Sequence, residues 1–286
     1  SGEGNGQRDG SGDFHEYSWG GCGAFGSGSW ATRSGVYAHA QSSTGTVFPD
    51  IFSILACFNY AFILMHTIRV WDLPTRLFHW LLAACVIGLI ITGSIGGNWM
   101  NWHLRLGYAV LTLLLFRVVW GFIGGHWSRF GSFLYAPSSL VAYLKGRGKP
   151  EHQLGHSPMG ALSVFGLLLI LGAQVGTGLI SDDEIAFFGP LVRFVSGDTV
   201  SMATGYHKNI GKLIVLGLVG LHLLAIAYYK WVKKQALVKP MIDGDKQVTT
   251  SAPSARDTAG TRVLALAVLA LCAWGVNWLV SLGAAF

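Results

Sequence analysis

The sequence predicts an all-α membrane protein: a four-helix transmembrane bundle followed by a fifth, C-terminal transmembrane helix. Three observations predict it. Of the 286 residues, 51% are hydrophobic and only 12% are charged, about half the charge that a soluble domain carries. Five apolar runs, each near the roughly 20 residues a helix needs to cross a bilayer, follow one another in the C-terminal three quarters of the chain. Lysine and arginine alternate between the connections in the manner that sets membrane topology.

The elements are taken in order. Residues 1–64 form a Gly/Ser-rich extension whose first 50 or so residues lack apolar periodicity, so it is expected to be disordered. Residues 51–64 are apolar but too short for a comfortable span, and no A-x-A-like cleavage site follows them. The first methionine of the chain is Met65. The native start is therefore expected there, with residues 1–64 a non-native extension.

A transmembrane domain is expected over 65–234. Trp71, Asp72, Leu73, Pro74 and Thr75 lead into the first span, with Pro74 placed to open a helix. That span runs over about 76–95 and is apolar apart from His79. Gly96, Gly97 and Asn98, with Trp99 and Trp102, make an interfacial turn, the level tryptophan favours. The second span, about 101–123, has His103 in its first turn, Arg105 beside it and Arg117 deeper. A basic connection over 124–155 includes a surface helix near 138–144, and the third span covers about 158–180. An acidic loop carrying Asp182, Asp183, Glu184 and Asp198 precedes the fourth span, 206–234. Residues 235–260 are rich in Ser, Thr, Ala and charge and read as a flexible cytoplasmic linker. Residues 261–286 supply the fifth span, with its apolar stretch over 263–282.

The connections before span one, between spans two and three, and after span four are basic, whereas the one between spans three and four is acidic. The positive-inside rule then puts the N-terminus in the cytoplasm and the short C-terminus outside, in an inner (plasma) membrane. That topology gives each histidine a depth. His79 falls near the inner end of span one and His103 near the outer end of span two. On span four, His207 lies near the outer face and His222 toward the inner one. Fifteen residues separate the last two, roughly 22 Å of helix rise, and their side chains leave the axis only about 60° apart.

Two pairs at matched depth result, His79 with His222 and His103 with His207. A histidine in hydrocarbon is costly unless it is paired or ligates something. Two neutral imidazoles facing each other across a bundle are a suitable axial set for a haem iron and leave no open coordination position. Zinc would want four ligands in one place, and these are split between two depths. Cys22, Cys57, Cys85 and Cys272 are scattered, with neither CxxC nor CxxCH, which argues against a zinc site, a thioredoxin-type motif and covalent c-type haem. Glycines at 88, 93, 107, 121, 172, 176, 211 and 217 would allow close helix packing or make room for a flat macrocycle.

The arrangement resembles the prokaryotic cytochrome b561 family, which includes the b-type cytochrome subunits of nickel-iron hydrogenases. The residues that carry the resemblance are Arg69-Val70-Trp71-Asp72 with Pro74-Thr75-Arg76 and His79-Trp80, Arg117 with Trp120-Gly121-Phe122, and Ser128-Arg129-Phe130. Gly155-His156-Ser157-Pro158, His207 with His222, and Leu237-Val238-Lys239 followed by Met241 and Gly244 complete the set. It covers about 65–246. The resemblance implies a di-haem core that passes electrons across the membrane, usually exchanging them with the quinone pool, with two b-type haems ligated by His79, His103, His207 and His222. A hydrogenase or a cytochrome c is the redox partner it implies.

Haem propionates are anions and need cations near the surfaces. Arg105 and Lys212 suit the outer site, and Arg76 and Arg129 the inner one, where positive-inside charge and snorkelling are the plainer explanation. Arg117 must find a partner or snorkel. His156 would make a helix-start hydrogen bond, or serve proton uptake or a quinone. Two other functions stay open: a stand-alone superoxide:quinone oxidoreductase with Arg105 and Lys212 steering the anion, and a haem-free transporter or assembly protein. No phosphate loop, nucleophile triad or nucleic-acid-binding surface is visible, so the expected surroundings are membrane lipid, quinone and a redox protein.

Overall fold

The chain is built from helices that start and stop where its caps dictate. A computed structural model describes residues 66–149, 152, 154–248 and 251–284; the expectations for 1–64 lie outside the described residues. A short strand β1 (His66–Arg69) leads into α1 (Leu73–Ile95), α2 (Met100–Ile123), the short α3 (Pro137–Leu144), α4 (Pro158–Leu179) and α5 (Gly197–Gly205). A π-helical segment, Tyr206–Gly211, continues directly into α6 (Lys212–Trp231). Then come the short α7 (Val238–Asp243), strand β2 (Asp245–Val248) and the long α8 (Ala259–Ala284).

Asp72 opens α1 by accepting a hydrogen bond from the Thr75 amide, with Pro74 in the first turn where its missing N–H costs nothing. The helix ends at Gly96 and Gly97, whose φ angles of 71° and 55° exclude most side chains. Ser157 caps α4 in the same way, accepting from the Gly160 amide just ahead of Pro158. Ser196 caps α5 through the Thr199 amide. From Gly197 to Trp231 the helical stretch is unbroken, so the fourth span starts earlier than the apolar run beginning at 206 indicates.

Five helices are long and apolar enough to cross a membrane, and the chain is a multi-pass membrane protein. Their outward residues are apolar as well: Ile87, Leu169, Leu224, Leu266 and Trp274 all stand exposed. In water these would form an intolerable patch; in lipid they are ordinary. Inside, Val86, Val110, Leu114, Leu171, Val175, Leu179 and Val215 join α1, α2, α4 and α6 in one cluster. A second joins Phe78, Leu113, Phe116 and Trp120 to Ala265 of α8, so the fifth helix packs on α1 and α2. Cys85 and Cys272 both pack at the edge of this second cluster.

Residues 235–260, expected from composition to be a flexible linker, include two docked stretches, 244–248 and 253–257. β2 pairs antiparallel with β1, His66 opposite Val248 and Arg69 opposite Asp245. The amides of Val70 and Trp71 both donate to the carbonyl of Gly244, at φ 92°. Further along, Ala255 donates to the Arg69 carbonyl and Trp127 Nε1 to that of Pro253. The Asp257 carboxylate, with its side chain 3% exposed, holds Arg69 and Arg262 at 2.8 Å each and Arg76 at 4.0 Å. Composition misses this because the order comes from main-chain pairing and one buried carboxylate, neither of which needs an apolar run.

Candidate functional site

The four transmembrane histidines occupy α1, α2, the π segment and α6, and the fold brings them together in two pairs. The imidazole centres of His79 and His222 are 6.5 Å apart with planes tilted by 51°. Those of His103 and His207 are 6.1 Å apart and nearly perpendicular. Neither pair is close enough to hydrogen-bond directly. Both separations match what one metal ion needs between two imidazoles: a bond of about 2 Å on each side plus roughly 1 Å from nitrogen to ring centre, or about 6 Å in all. Among the described residues no group of three or more His, Cys, Asp or Glu side chains gathers to hold a metal.

Glycines admit the rings. A Cβ on Gly93 would lie 2.9 Å from the His103 ring, and one on Gly178 would lie 2.9 Å from the His207 ring. Gly88, Gly121 and Gly211 are packing glycines, pressed respectively by Leu106, Phe130 and Gln174. Gly107, Gly172, Gly176 and Gly217 face open space. The second nitrogen of each ring is treated differently in the two pairs. His103 Nδ1 lies 3.1 Å from the Leu89 carbonyl and 3.3 Å from Thr92 Oγ1, and His207 Nδ1 lies 2.8 Å from the Gln174 carbonyl. Because a carbonyl only accepts, both Nδ1 atoms carry the proton, and Nε2 is the free nitrogen on each. Gln174 also returns a hydrogen bond from Nε2 to the His207 carbonyl, clamping the π segment from both sides. By contrast, His222 Nδ1 is 3.5 Å from Ser163 Oγ, and His79 Nδ1 is buried with no partner among the described residues.

The cationic residues fall into two groups. Arg105 is exposed with its guanidinium 5.3 Å over Trp102; Lys212 and Arg129 are exposed too. Arg76 donates from Nη1 to the Ile242 carbonyl, while its buried Nε has no partner among the described residues. Arg117 is 3% exposed, lies 4.7 Å over the Phe130 ring, and has a buried Nη1 with no partner among the described residues. Among the described residues the His156 side chain makes no helix-start hydrogen bond: its ring packs 4.2 Å from Phe133 and 4.7 Å from Trp71, and its buried Nδ1 has no partner there. Burial, reinforced by the nearby Arg117 charge, pushes its pKa down to about 3, so it is neutral at any ordinary pH.

Two residues at the site were not anticipated. Asp72 is fully buried and accepts from Trp120 Nε1, the Gly125 amide and Ser128 Oγ besides its own cap, locking the start of α1 to the end of α2. Its position one residue before Leu73-Pro74 is an N-cap signal in the sequence. Gln174 gave no signal, since a lone glutamine in an apolar run has no periodicity to mark it.

These features define a class: a polytopic helical membrane protein carrying two facing imidazole pairs in its interior, separated along one long helix. The chain belongs to the prokaryotic cytochrome b561 family, whose sequence profile matches residues 70–244. It is similar to a protein of Bradyrhizobium diazoefficiens named "Probable Ni/Fe-hydrogenase B-type cytochrome subunit", with 23% identity across 63% of this chain and 86% of the relative. A namesake from Azotobacter chroococcum is 25% identical across 62% and 87% of the two chains. The "Probable Ni/Fe-hydrogenase 1 B-type cytochrome subunit" of Escherichia coli K12 is 26% identical across 44% and 66%. The family implies electron transfer in the membrane and b-type haem.

Proposed function

We propose that this protein is a di-haem b-type cytochrome that relays electrons between the quinone pool and a redox partner on the opposite side of the inner membrane. In this reading His79 with His222, and His103 with His207, supply the axial ligands. The observation that carries it is the pair of imidazole separations, 6.5 and 6.1 Å, each suited to a single iron. Buried polar atoms without partners add support. Native interiors rarely leave such atoms unpaired, yet Arg76 Nε, His79 Nδ1 and Arg117 Nη1 are all in that state.

When bound, haem b supplies a one-electron ferric/ferrous couple. The chain does the rest. Its imidazoles hold position through fixed helices, and Gly93 and Gly178 leave room for two of the rings. The apolar bundle keeps water and competing ligands away, which favours electron transfer over oxygen binding. Arg76 and Arg117 put positive charge where carboxylates of the cofactor near His79 would need it, and exposed Arg105 and Lys212 offer the same beside the other pair.

The charge pattern of the connections supports an orientation with β1, β2 and the Asp257 clasp in the cytoplasm and the acidic 182–198 loop outside. The relatives' names make a hydrogenase the leading partner class, with a soluble cytochrome c as the other. Residues 65–234 then form the haem domain, and α8 is a buttress against α1 and α2. The test is to mix the oxidised purified protein with a quinol analogue and follow its visible spectrum. Appearance of reduced b-type bands is expected. A preparation without b-type bands, as a transporter or assembly protein would give, contradicts the proposal.

A further inference from the structure

The two imidazole pairs are chemically unequal, and the inequality lies in their second nitrogens. At one end both Nδ1–H groups are committed: His207 to the Gln174 carbonyl at 2.8 Å, and His103 to the Leu89 carbonyl at 3.1 Å with Thr92 Oγ1 at 3.3 Å. Thr92 Oγ1 itself donates to the Gly88 carbonyl at 2.7 Å, which turns its lone pairs toward the ring proton. At the other end His222 Nδ1 has only Ser163 Oγ, at the 3.5 Å limit of a hydrogen bond, and His79 Nδ1 has no partner among the described residues.

A hydrogen bond from Nδ1–H to a carbonyl draws the proton away from the ring and makes the other nitrogen a stronger electron donor. A stronger donor stabilises ferric over ferrous iron and lowers the reduction potential. We propose that the carbonyls of Leu89 and Gln174, with Thr92 Oγ1, act as positioning and tuning groups that make the His103–His207 centre the lower-potential one and the His79–His222 centre the higher. Iron held by His103 and His207 would therefore hand an electron downhill to iron held by His79 and His222, the first being oxidised from ferrous to ferric as the second is reduced from ferric to ferrous.

This inference rests on the di-haem reading above and deepens it. The test is an equilibrium redox titration of the purified full chain, followed optically, beside two variants. The wild type is expected to titrate in two separate components. In His79→Ala, which retains only the His103–His207 pair, the low-potential component remains and the high-potential one disappears. Survival of the high-potential component instead overturns the assignment. Thr92→Val preserves shape and removes one acceptor, so it guards against a His79→Ala protein that does not fold. It raises the midpoint of the low-potential component and leaves the other in place; a shift confined to the high-potential component, or no shift, overturns the proposal. Two haems titrating as one component refute the inference and leave the di-haem reading intact, whereas a protein without haem removes both.

Discussion

His207 Nδ1 donates a 2.8 Å hydrogen bond to the main-chain carbonyl of Gln174, and Gln174 Nε2 donates back to the carbonyl of His207. The exchange fixes the ring where the long helix is π-wound, opposite Gly178, whose missing Cβ leaves space for it. If each ring pair serves one centre, the centres must be separable. His222→Ala is expected to lose the haem held with His79 and keep the other, halving haem per chain; His207→Ala should do the converse. Haem extraction and quantification check this. A variant retaining both haems refutes the pairing.

Asp72 is buried and accepts hydrogen bonds from Thr75, Trp120, Gly125 and Ser128. Asp72→Ala leaves those donors without an acceptor in a closed space, each costing about 1–3 kcal/mol, and is expected to destabilise the fold by roughly 3 kcal/mol or more. Asp72→Asn keeps part of the acceptor and should lose less. Thermal unfolding in detergent measures both; a drop below about 1 kcal/mol for Asp72→Ala would show that the carboxylate does not lock α1 to α2.

The Asp257 clasp ties β1 to the start of α8 through Arg69 and Arg262. Burial raises the Asp257 pKa, yet hydrogen bonds from Arg262 and Arg69 outweigh it and bring the carboxyl below its usual value. The clasp therefore contributes fully above the unfolded pKa of about 3.9 and is lost as pH falls through the lower folded value. At neutral pH an Arg69→Ala, Asp257→Ala double-mutant cycle is expected to give a coupling of about 1 kcal/mol, because Arg69 is a third exposed and solvent screens it. Independent, additive effects would show that the contact does not hold α8.

His156 is neutral in the fold, with a pKa near 3 against an ordinary 6.5. Since the unfolded chain binds the proton first, stability is complete above about pH 6.5 and declines as pH falls toward 3, by about 2 kcal/mol at pH 5. His156→Gln removes that dependence. Comparing unfolding of the two proteins at pH 7 and pH 5 checks it: equal losses on acidification would mean the ring protonates freely in the fold.

The five spans were legible in the sequence because helices in lipid must be apolar for about 20 residues, and nothing else in the chain is. The facing of His79 with His222 and of His103 with His207 was legible too, from their expected depths, because successive spans cross in opposite directions. The docking of 244–248 and 253–257 was not, since its order comes from strand pairing with residues 66–69 and from a carboxylate reaching three arginines. Nor was Gln174, or the π segment that carries His207: an extra residue per turn leaves no mark on hydropathy. The expected hydrogen bond of His156 gave way to an aromatic cage built by Trp71 and Phe133, residues far apart in sequence.

The most direct test of the central claim is the haem content and spin state of the purified full-length chain. Two b-type haems per chain, both giving the electron paramagnetic resonance signals of low-spin ferric iron between two imidazoles, are expected from the two ring pairs. One haem per chain, or a high-spin signal from a five-coordinate iron, would contradict the account.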